Sequence, residues 1–329
     1  MKALVTGGCG FIGSHLSKKL IEEGFEVEVV DDMSSGTLDS LAGLNIRVTF
    51  SDFMNEFFNS VLEKRDIVVI QGDFASPSVL DRVASGEYDY VFHQAAIPRV
   101  LYSVENPSLT TNVNILGTVR LLEACRGNVK RVIMASSSSV YGGADVMPTS
   151  ESCPKSPKSP YAWQKSSTED IAKIFSDLYG LDIACLRYFN VFGPGQLGDS
   201  PYSTAIAAWC HSIKEGRPLR SDGDGEQSRD LCYIENVVNA NILAATTDKK
   251  DKFNGDCYNI ACGHRTSNNQ ILDFLRERFD NLNIVNAPER QGDVKHTLAD
   301  ISLAYKDFEY KPTVLFWDGL KNTLDWWGI

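Results

Sequence analysis

The sequence lacks the patterns by which a chain holds a structural metal or a redox dithiol. Its eight cysteines, at 9, 125, 153, 185, 210, 232, 257 and 262, include no C-x-x-C pair. Its five histidines, at 15, 93, 211, 264 and 296, show no H-x-x-x-H or Cys/His spacing. These absences argue against a metal site. The scattered thiols are expected to be reduced and buried, as in a cytoplasmic protein. Positive charge is also scarce: 32 Lys plus Arg stand against 43 Asp plus Glu, a net charge of −11. That balance opposes a broad phosphate-binding footprint, so no nucleic-acid partner is expected, although a few local arginines can still hold a small anion. No apolar run approaches the ~20 residues of a membrane span. The chain opens directly on a strand-like KALVTG, with no leader expected and no membrane partner.

The 329 residues are enough for about two domains and a large core. Short apolar runs alternate with longer amphipathic stretches through the first half. Strands are expected at Lys2–Thr6, Glu26–Val30, Ile67–Ile70, Asp89–His93, Arg131–Ala135 and Asp182–Arg187, with helices at Phe11–Glu23, Pro107–Arg126 and Tyr161–Tyr179. Near-continuous apolar strands joined by helices predict a parallel sheet covered on both faces. From Val191 to Gly225, glycines and prolines become dense around a helical stretch at Ser203–Lys214, which reads as ligand-facing loops. A helix at Ile234–Ala245 and a strand near Cys257–Ile260 look like a return to the sheet, and Ser267–Ile329 reads as two helices with short extended segments.

Gly8, Gly10 and Gly13 in GGCGFIG match G-x-G-x-x-G, with Gly7 just before, after an expected strand and at the start of an expected helix. Glycines there let the backbone turn tightly and approach a pyrophosphate seated on the helix N-terminus. Alone, the pattern is shared by glycine turns that only pack a helix on a strand. Asp31, 18 residues beyond Gly13, ends the second strand, where a carboxylate can accept both adenosine-ribose hydroxyls. No Arg or Lys follows within Asp32–Gly36, so NAD is favoured over NADP.

Tyr161 and Lys165 stand four apart in YAWQK, just after Pro160, which suits the first turn of a helix. A tyrosine with its ordinary pKa of ~10 is a poor base at neutral pH, and a nearby lysine cation together with the positive nicotinamide ring is expected to lower it. Tyr and Lys at this spacing also occur on solvated helix faces. Context comes from Ser136–Ser139, four hydroxyls at the C-terminal end of an expected parallel strand, where such sheets bind ligands.

In this order, TGGCGFIGSHL, DDMSSG, QGDF, FHQAA, NILGT, SSSSVYG, YAWQK, RYFNVFGPGQ, GDGEQSRD, RQGDV and GLKNTLDWW resemble the extended short-chain dehydrogenase/reductase family in its nucleotide-sugar epimerase/dehydratase branch. The resemblance spans essentially the whole chain. It implies an α/β fold: a Rossmann doubly wound parallel sheet over residues 1–188, with about 231–260 returning to it, and a smaller C-terminal substrate-binding domain over 189–329, the site lying between them. It implies Tyr161 as acid/base, Lys165 as its partner and nicotinamide-ribose ligand, and Ser137 as the hydroxyl donor. Cofactor contacts are implied at Gly7, Gly10, Phe11, Ile12, Asp31, Ser34, Ser35, Gly36, Asp73, Phe74, Ala95, Asn114, Lys165 and Tyr188. Nucleotide-sugar contacts are implied at Ser137, Asn190, Arg229, Arg290 and Asp293. Two arginines suit a diphosphate in an otherwise acidic protein. Thr297, small where relatives acting on N-acetylated UDP-sugars are small, leaves room for an acetamido group. The resemblance also implies a homodimer through the two long helices, although covering the sheet explains the same apolar pattern.

The implied reaction is an NAD-dependent UDP-sugar 4-epimerisation through a transient 4-keto sugar, on UDP-GlcNAc/UDP-GalNAc ahead of UDP-Glc/UDP-Gal. A 4,6-dehydratase needs an Asp-Glu pair after the hydroxyl residue, and Ser138 and Ser139 stand there instead. A UDP-glucuronate decarboxylase is the alternative, with Arg99 as the candidate cation for the carboxylate. A non-catalytic NAD-binding regulator fits less well, because the Tyr/Lys pair is intact. Two departures stand out: the long segment Leu38–Arg65, and Tyr102 where relatives carry arginine.

Overall fold

Alternating apolar runs and amphipathic segments give, in chain order, β1 (Lys2–Thr6), α1 (Phe11–Glu22), β2 (Glu26–Asp31), β3 (Ile46–Phe50), β4 (Ile67–Gln71), α2 (Pro77–Ala84), β5 (Tyr90–His93), α3 (Val100–Glu105), α4 (Pro107–Thr111), α5 (Thr118–Cys125), β6 (Arg131–Ser137), α6 (Pro160–Tyr179) and β7 (Ile183–Tyr188). There follow β8 (Val191–Phe192), α7 (Ala205–Lys214), β9 (Leu219–Asp222), β10 (Ser228–Asp230), β11 (Cys232–Tyr233), α8 (Ile234–Thr246), β12 (Cys257–Ile260), β13 (Arg265–Ser267), α9 (Asn268–Arg278), β14 (Ile284–Ala287), α10 (Ser302–Phe308) and α11 (Phe316–Trp327). This computed structural model describes residues 1–51, 66–143, 145–199, 203–248, 252–289 and 294–329.

The chain divides into two units: Met1–Ser137 with Ser159–Arg187 and Val238–Tyr258, and Ser138–Lys158 with Tyr188–Val237 and Asn259–Ile329. In the first unit, the eight-stranded sheet has the order β12-β7-β6-β5-β1-β2-β4-β3. Strands from β3 through β6 pair in parallel, with Thr6 of β1 opposite Val30 of β2 on one side and His93 of β5 on the other. The strand order reverses at β1, the switch point at which open α/β sheets bind ligands beyond their strand ends. Ala3, Leu4 and Val5 are fully buried, as are Val69 and Ile70 of β4, because helices cover both faces.

The sequence reading departs from this fold at four places. β3 was not expected inside the long Leu38–Arg65 segment, although IRVTF alternates apolar and polar residues; it is an edge strand, and its apolar Val48 and Phe50 are exposed. Residues 52–65 of that segment lie outside the described residues. The single helix expected at Pro107–Arg126 is α4 and α5 joined by a π-helical stretch, Asn112–Gly117. Such wide turns carry no signature in hydrophobic spacing. Ser267–Ile329 holds three helices rather than two, the extra one being the seven-residue α10. Finally, Ser138–Lys158 belongs to the second unit: Val140 and Tyr141 join Phe189, Ala261 and Ala299 in its core, and Tyr141 Oη donates to Asn259 Oδ1 at 2.7 Å.

The second unit is built on short pairings, β10 with β13 antiparallel, and β8 with β11 and β9 with β14 in parallel. Alongside β10 runs the segment from Lys295 to Ala299: Ser228 N donates to Lys295 O at 3.0 Å and Thr297 N to Ser228 O at 3.0 Å. α9 begins on a capping box between Ser267 and Gln270.

Candidate active site

In the first unit, the turn after β1 is held by its own backbone. Gly7 N donates to Val30 O at 2.8 Å, Gly10 N to Gly7 O at 3.1 Å and Ser14 N to Gly10 O at 2.9 Å. Gly7 has φ +69°, and a Cβ there would lie 2.8 Å from Ala95 backbone; at Gly13 it would lie 2.1 Å from Gly7 O. The turn therefore packs against the strand and itself with no room for side chains, which leaves the first turn of α1, at Phe11 and Ile12, without a side-chain cap. An uncapped helix start after a glycine turn suits a pyrophosphate.

Asp31 stands at the end of β2, and its two oxygens accept from Cys9 N and Met33 N, both at 2.9 Å. Burial pushes its carboxyl up, and these backbone donors pull it back. The loop through Ser34 and Ser35 closes over the glycine turn at Gly36, where a Cβ would meet the Cys9 backbone at 2.6 Å. Asp73 Oδ1 accepts from Ala75 N at 2.9 Å, shaping the turn ahead of α2. The Phe74 ring turns into the core, 5.0 Å from His93, so only its backbone is left for a ligand.

Asn114 sits on the π-helical stretch with both amide hydrogens used. Nδ2 donates to Ile97 O at 3.2 Å and to Gln164 Oε1 at 2.8 Å, while Oδ1 accepts from Ile97 N at 2.8 Å. It pins the segment after β5 to α6. Gln164 completes the tie by donating to Thr110 Oγ1 and Thr111 Oγ1. Sequence reasoning passed over Gln164, although it adjoins Lys165 in YAWQK.

His93 is a second unexpected participant. Thr118 Oγ1 spends its proton on Asn114 O at 2.7 Å, so His93 Nε2–H donates to Thr118 Oγ1 at 2.9 Å. Nδ1 then accepts from Thr6 Oγ1 at 2.7 Å, and that oxygen accepts from Ala95 N at 3.2 Å. Burial and the Lys165 ammonium hold the imidazole down at about 3, neutral across the working range.

Ser137, Tyr161 and Lys165 meet where β6 ends and α6 begins. Ser159 caps α6 by accepting from Ala162 N at 3.2 Å, and Pro160 opens its first turn. Ser137 and Tyr161 share a side-chain hydrogen bond, and Lys165 Nζ donates to Ala135 O at 2.8 Å. Tyr161 and Lys165 are 9% and 6% exposed, so the expected solvated-face alternative does not apply. Lys165 is not among the groups that shift Tyr161 in the protein alone. Burial pushes Tyr161 up to about 12 against the Ser137 hydrogen bond, and Lys165 falls to about 8 because burial outweighs Cys185 and Glu169.

In the second unit, Asn190, Arg229 and Thr297 form one cluster. Asn190, at φ +36°, donates from Nδ2 to Asp230 O and Thr297 Oγ1, both at 3.1 Å. Thr297 Oγ1 also accepts from Asp230 N at 3.1 Å. Arg229 Nη1 donates to Ser228 O and Lys295 O, at 3.1 and 3.0 Å, which fixes where its guanidinium starts. Sequence reasoning missed Asp230, next to Arg229: its carboxylate accepts from Cys262 N, Gly263 N and Ala299 N. Burial pushes Asp230 up to about 6 despite those donors. Tyr188 ends β7, 7% exposed. Arg290 and Asp293 lie outside the described residues, as does any structural account of them.

Among the described residues there is no group of three His, Cys, Asp or Glu arranged to hold a metal, and no helix is long and apolar enough to cross a membrane. All eight cysteines are free thiols, six of them buried. A glycine turn, a strand-end aspartate and a Ser-Tyr-Lys group on one doubly wound sheet define a dinucleotide-dependent enzyme of the Rossmann class. Residues 3–261 match the NAD-dependent epimerase/dehydratase family, and the chain belongs to it. It is 31% identical over 336 residues to a UDP-glucose 4-epimerase of Mycolicibacterium smegmatis, covering 99% of this chain and 98% of that one. Its fold is similar to that of UDP-N-acetylglucosamine 4-epimerase from Methanobrevibacter ruminantium M1, solved with UDP-N-acetylmuramic acid: TM-score 0.86, 36% identity, 99% and 97% covered. It is also similar to UDP-glucuronic acid 4-epimerase from Bacillus cereus, solved with UDP-glucuronic acid and NAD: TM-score 0.85, 30% identity, 100% and 99% covered.

Proposed function

We propose that this NAD-dependent epimerase inverts C4 of a UDP-sugar, with UDP-GlcNAc and UDP-GalNAc as its preferred pair. The observation that carries the reading is the Ser137–Tyr161 hydrogen bond with Lys165 one helical turn along the same buried face. Tyr161 Oη takes the proton of the sugar 4-hydroxyl and later returns it, while the Ser137 hydroxyl donates to the 4-oxygen. The Lys165 ammonium, together with the positive nicotinamide ring of bound NAD, would favour the phenolate over the phenol. NAD, when bound, would supply the hydride acceptor and donor for C4, held by the α1 turn and Asp31. The first-turn backbone of α1, with Gly7 and Gly10, cradles its pyrophosphate, and Asp31 accepts from its adenosine ribose. Asn190, Arg229 and Thr297, with Arg290 and Asp293, recognise the nucleotide sugar. The N-acetylated preference is supported by the small Thr297 and by the name of the Methanobrevibacter relative.

The test is proton NMR of the purified protein with UDP-GlcNAc and no added NAD. A growing UDP-GalNAc anomeric signal is the expected result. Without one, UDP-glucose and UDP-glucuronate follow. The Bacillus cereus relative's name favours UDP-glucuronate as the second substrate reading, and pentose signals from it would make the enzyme a decarboxylase.

Thr297→Tyr is expected to depress turnover of N-acetylated sugars more than of plain hexoses. Because the Thr297 hydroxyl also ties Asn190 to Asp230 N, both classes lose some activity. Equal losses would rule out a selective role for the position.

The protein acts as a homodimer through α6 and the Pro107–Gly117 segment packed beside it. Trp163 and Ile174 lie three turns apart on one exposed side of α6, with Leu109 and Leu116 exposed on the neighbouring segment. Replacing Ile174 by Asp is expected to convert dimer to monomer in light scattering, and an unchanged mass would exclude this face.

A further inference from the structure

Three consecutive residues at the end of β6 are each tied to α6, and the ties fall one helical turn apart. Lys165 Nζ donates to Ala135 O at 2.8 Å, Ser136 Oγ donates to Glu169 Oε1 at 2.6 Å, and Ser137 shares its hydrogen bond with Tyr161. Glu169 has a side chain only 2% exposed. Arg187 of β7 clamps it from behind, with Nε to Oε1 and Nη2 to Oε2, both at 2.8 Å. A bidentate guanidinium–carboxylate pair is rigid and directional, more than a packed helix needs merely to cover a sheet. Breaking such a pair on one side leaves an uncompensated buried charge, so its geometry is strongly held.

We propose that Glu169 is a positioning residue of the reaction: clamped by Arg187, its carboxylate fixes the end of β6 so that the Ser137 hydroxyl meets Tyr161, and it sets a negative charge one turn behind the Lys165 ammonium. The inference rests on the roles given to Tyr161, Lys165 and Ser137 above. The groups that act on Lys165 are Glu169 on its own helix, neutral His93 on β5, Cys185 on β7 and Ala135 O on β6, with Ser136 and Arg187 holding Glu169. Burial lowers Lys165 to about 8, with Cys185 and Glu169 opposing it. Removing the Glu169 charge therefore lowers it further, and the ammonium is lost at a lower pH.

Two variants separate the halves of this assignment. Glu169→Gln keeps the size and a hydrogen-bond acceptor but removes the charge. Ser136→Ala cuts only the tie to β6. Both are measured as purified holoenzyme, with kcat and KM across pH for whichever UDP-sugar the wild type turns over, and with the thermal midpoint. In Glu169→Gln, kcat falls about 10- to 100-fold with KM little changed. Its alkaline limb moves down by about one pH unit, since loss of a nearby opposite charge disfavours the cation. In Ser136→Ala, kcat falls while the alkaline limb stays.

A second readout needs no turnover, so it stands apart from the choice of substrate. The Lys165 side chain is titrated by NMR in protein carrying 13C at lysine Cε, its resonance identified by its loss in Lys165→Met. The midpoint is expected to fall in Glu169→Gln and to hold in Ser136→Ala. Glu169→Asp, which keeps the charge, restores the midpoint to near wild type and covers the case of an insoluble Gln variant. An unmoved midpoint in Glu169→Gln, or a midpoint in Glu169→Asp as low as that of a neutral variant, overturns the electrostatic half. Unchanged kcat in Ser136→Ala overturns the positioning half. Losses of kcat that follow only the thermal midpoint, with one pH profile throughout, reduce Glu169 to a structural residue.

Discussion

Tyr161→Phe is expected to cut turnover by about 10³-fold, the usual contribution of a positioned acid/base, while nucleotide-sugar binding and retained NAD stay close to wild type. The substitution removes one oxygen from a side chain that is 9% exposed. The ring keeps its place because the first turn of α6 is held independently: Ser159 caps it, and Tyr161 N donates to Ser103 Oγ at 3.1 Å. Ser137 loses a partner, at a cost of ~1 kcal/mol, too little to unfold a chain of this size. The check is a single-turnover assay beside calorimetric binding of UDP-sugar. An unchanged rate would remove Tyr161 from the chemistry, and lost binding would show that the hydroxyl holds substrate. Tyr161, buried and held up near 12 by its surroundings, is also a weak base as it stands, so its work depends on positive charge brought close to it.

Gly13→Ala is expected to damage the cofactor cradle severely with a single added methyl. The added Cβ would lie 2.1 Å from Gly7 O, 2.7 Å from Gly8 Cα and 2.8 Å from Gly7 C, all backbone atoms with no rotamer to relieve the clash. Gly7 cannot retreat without breaking its bond to Val30 O, and Gly10 N is bonded to Gly7 O. Overpacking of this kind costs about 3 kcal/mol or more. The turn must open, which withdraws the α1 backbone from the pyrophosphate. NAD carried through purification should fall about tenfold or more, since each 1.4 kcal/mol lost from binding is a factor of ten. The thermal midpoint should drop with it. Gly24→Ala is the control: its φ is +83°, but nothing lies within 4 Å, so it carries backbone strain and no clash. NAD retained equally by both variants would mean that the turn is not the cradle.

Much of the first unit was legible because its physics is local. β1 runs from Lys2 to Thr6 as read, and α1 and α6 differ from the reading by a single residue at one end. Apolar runs, a glycine turn and a proline in a first helical turn act within a few residues of one another. The Tyr161/Lys165 spacing and the four hydroxyls of Ser136–Ser139 at a strand end are visible without coordinates, but only the family resemblance picked Ser137 from among the four. The edge strand β3 was passed over although IRVTF alternates apolar and polar residues, because five residues inside a long connecting segment are a weak signal. The π-helical stretch was not, because widening one turn changes hydrogen bonding and leaves composition untouched.

By itself, the sequence determined the parallel α/β sheet, the glycine turn with Asp31 after it, and the spacing that places Tyr161 and Lys165 on one helical face. Each follows from the preferences of neighbouring residues. Only the tertiary structure decided what those groups experience. It turned Phe74 into the core and used both amide hydrogens of Asn114 on Ile97 and Gln164. It moved Ser138–Lys158 into the second unit and joined Asn190, Asp230 and Thr297, which are far apart in the chain, through shared hydrogen bonds. It also placed Arg187 behind Glu169 and Glu169 behind Lys165. Burial and charge pairing between distant segments depend on how strands and helices stack, and a linear pattern carries no record of that distance.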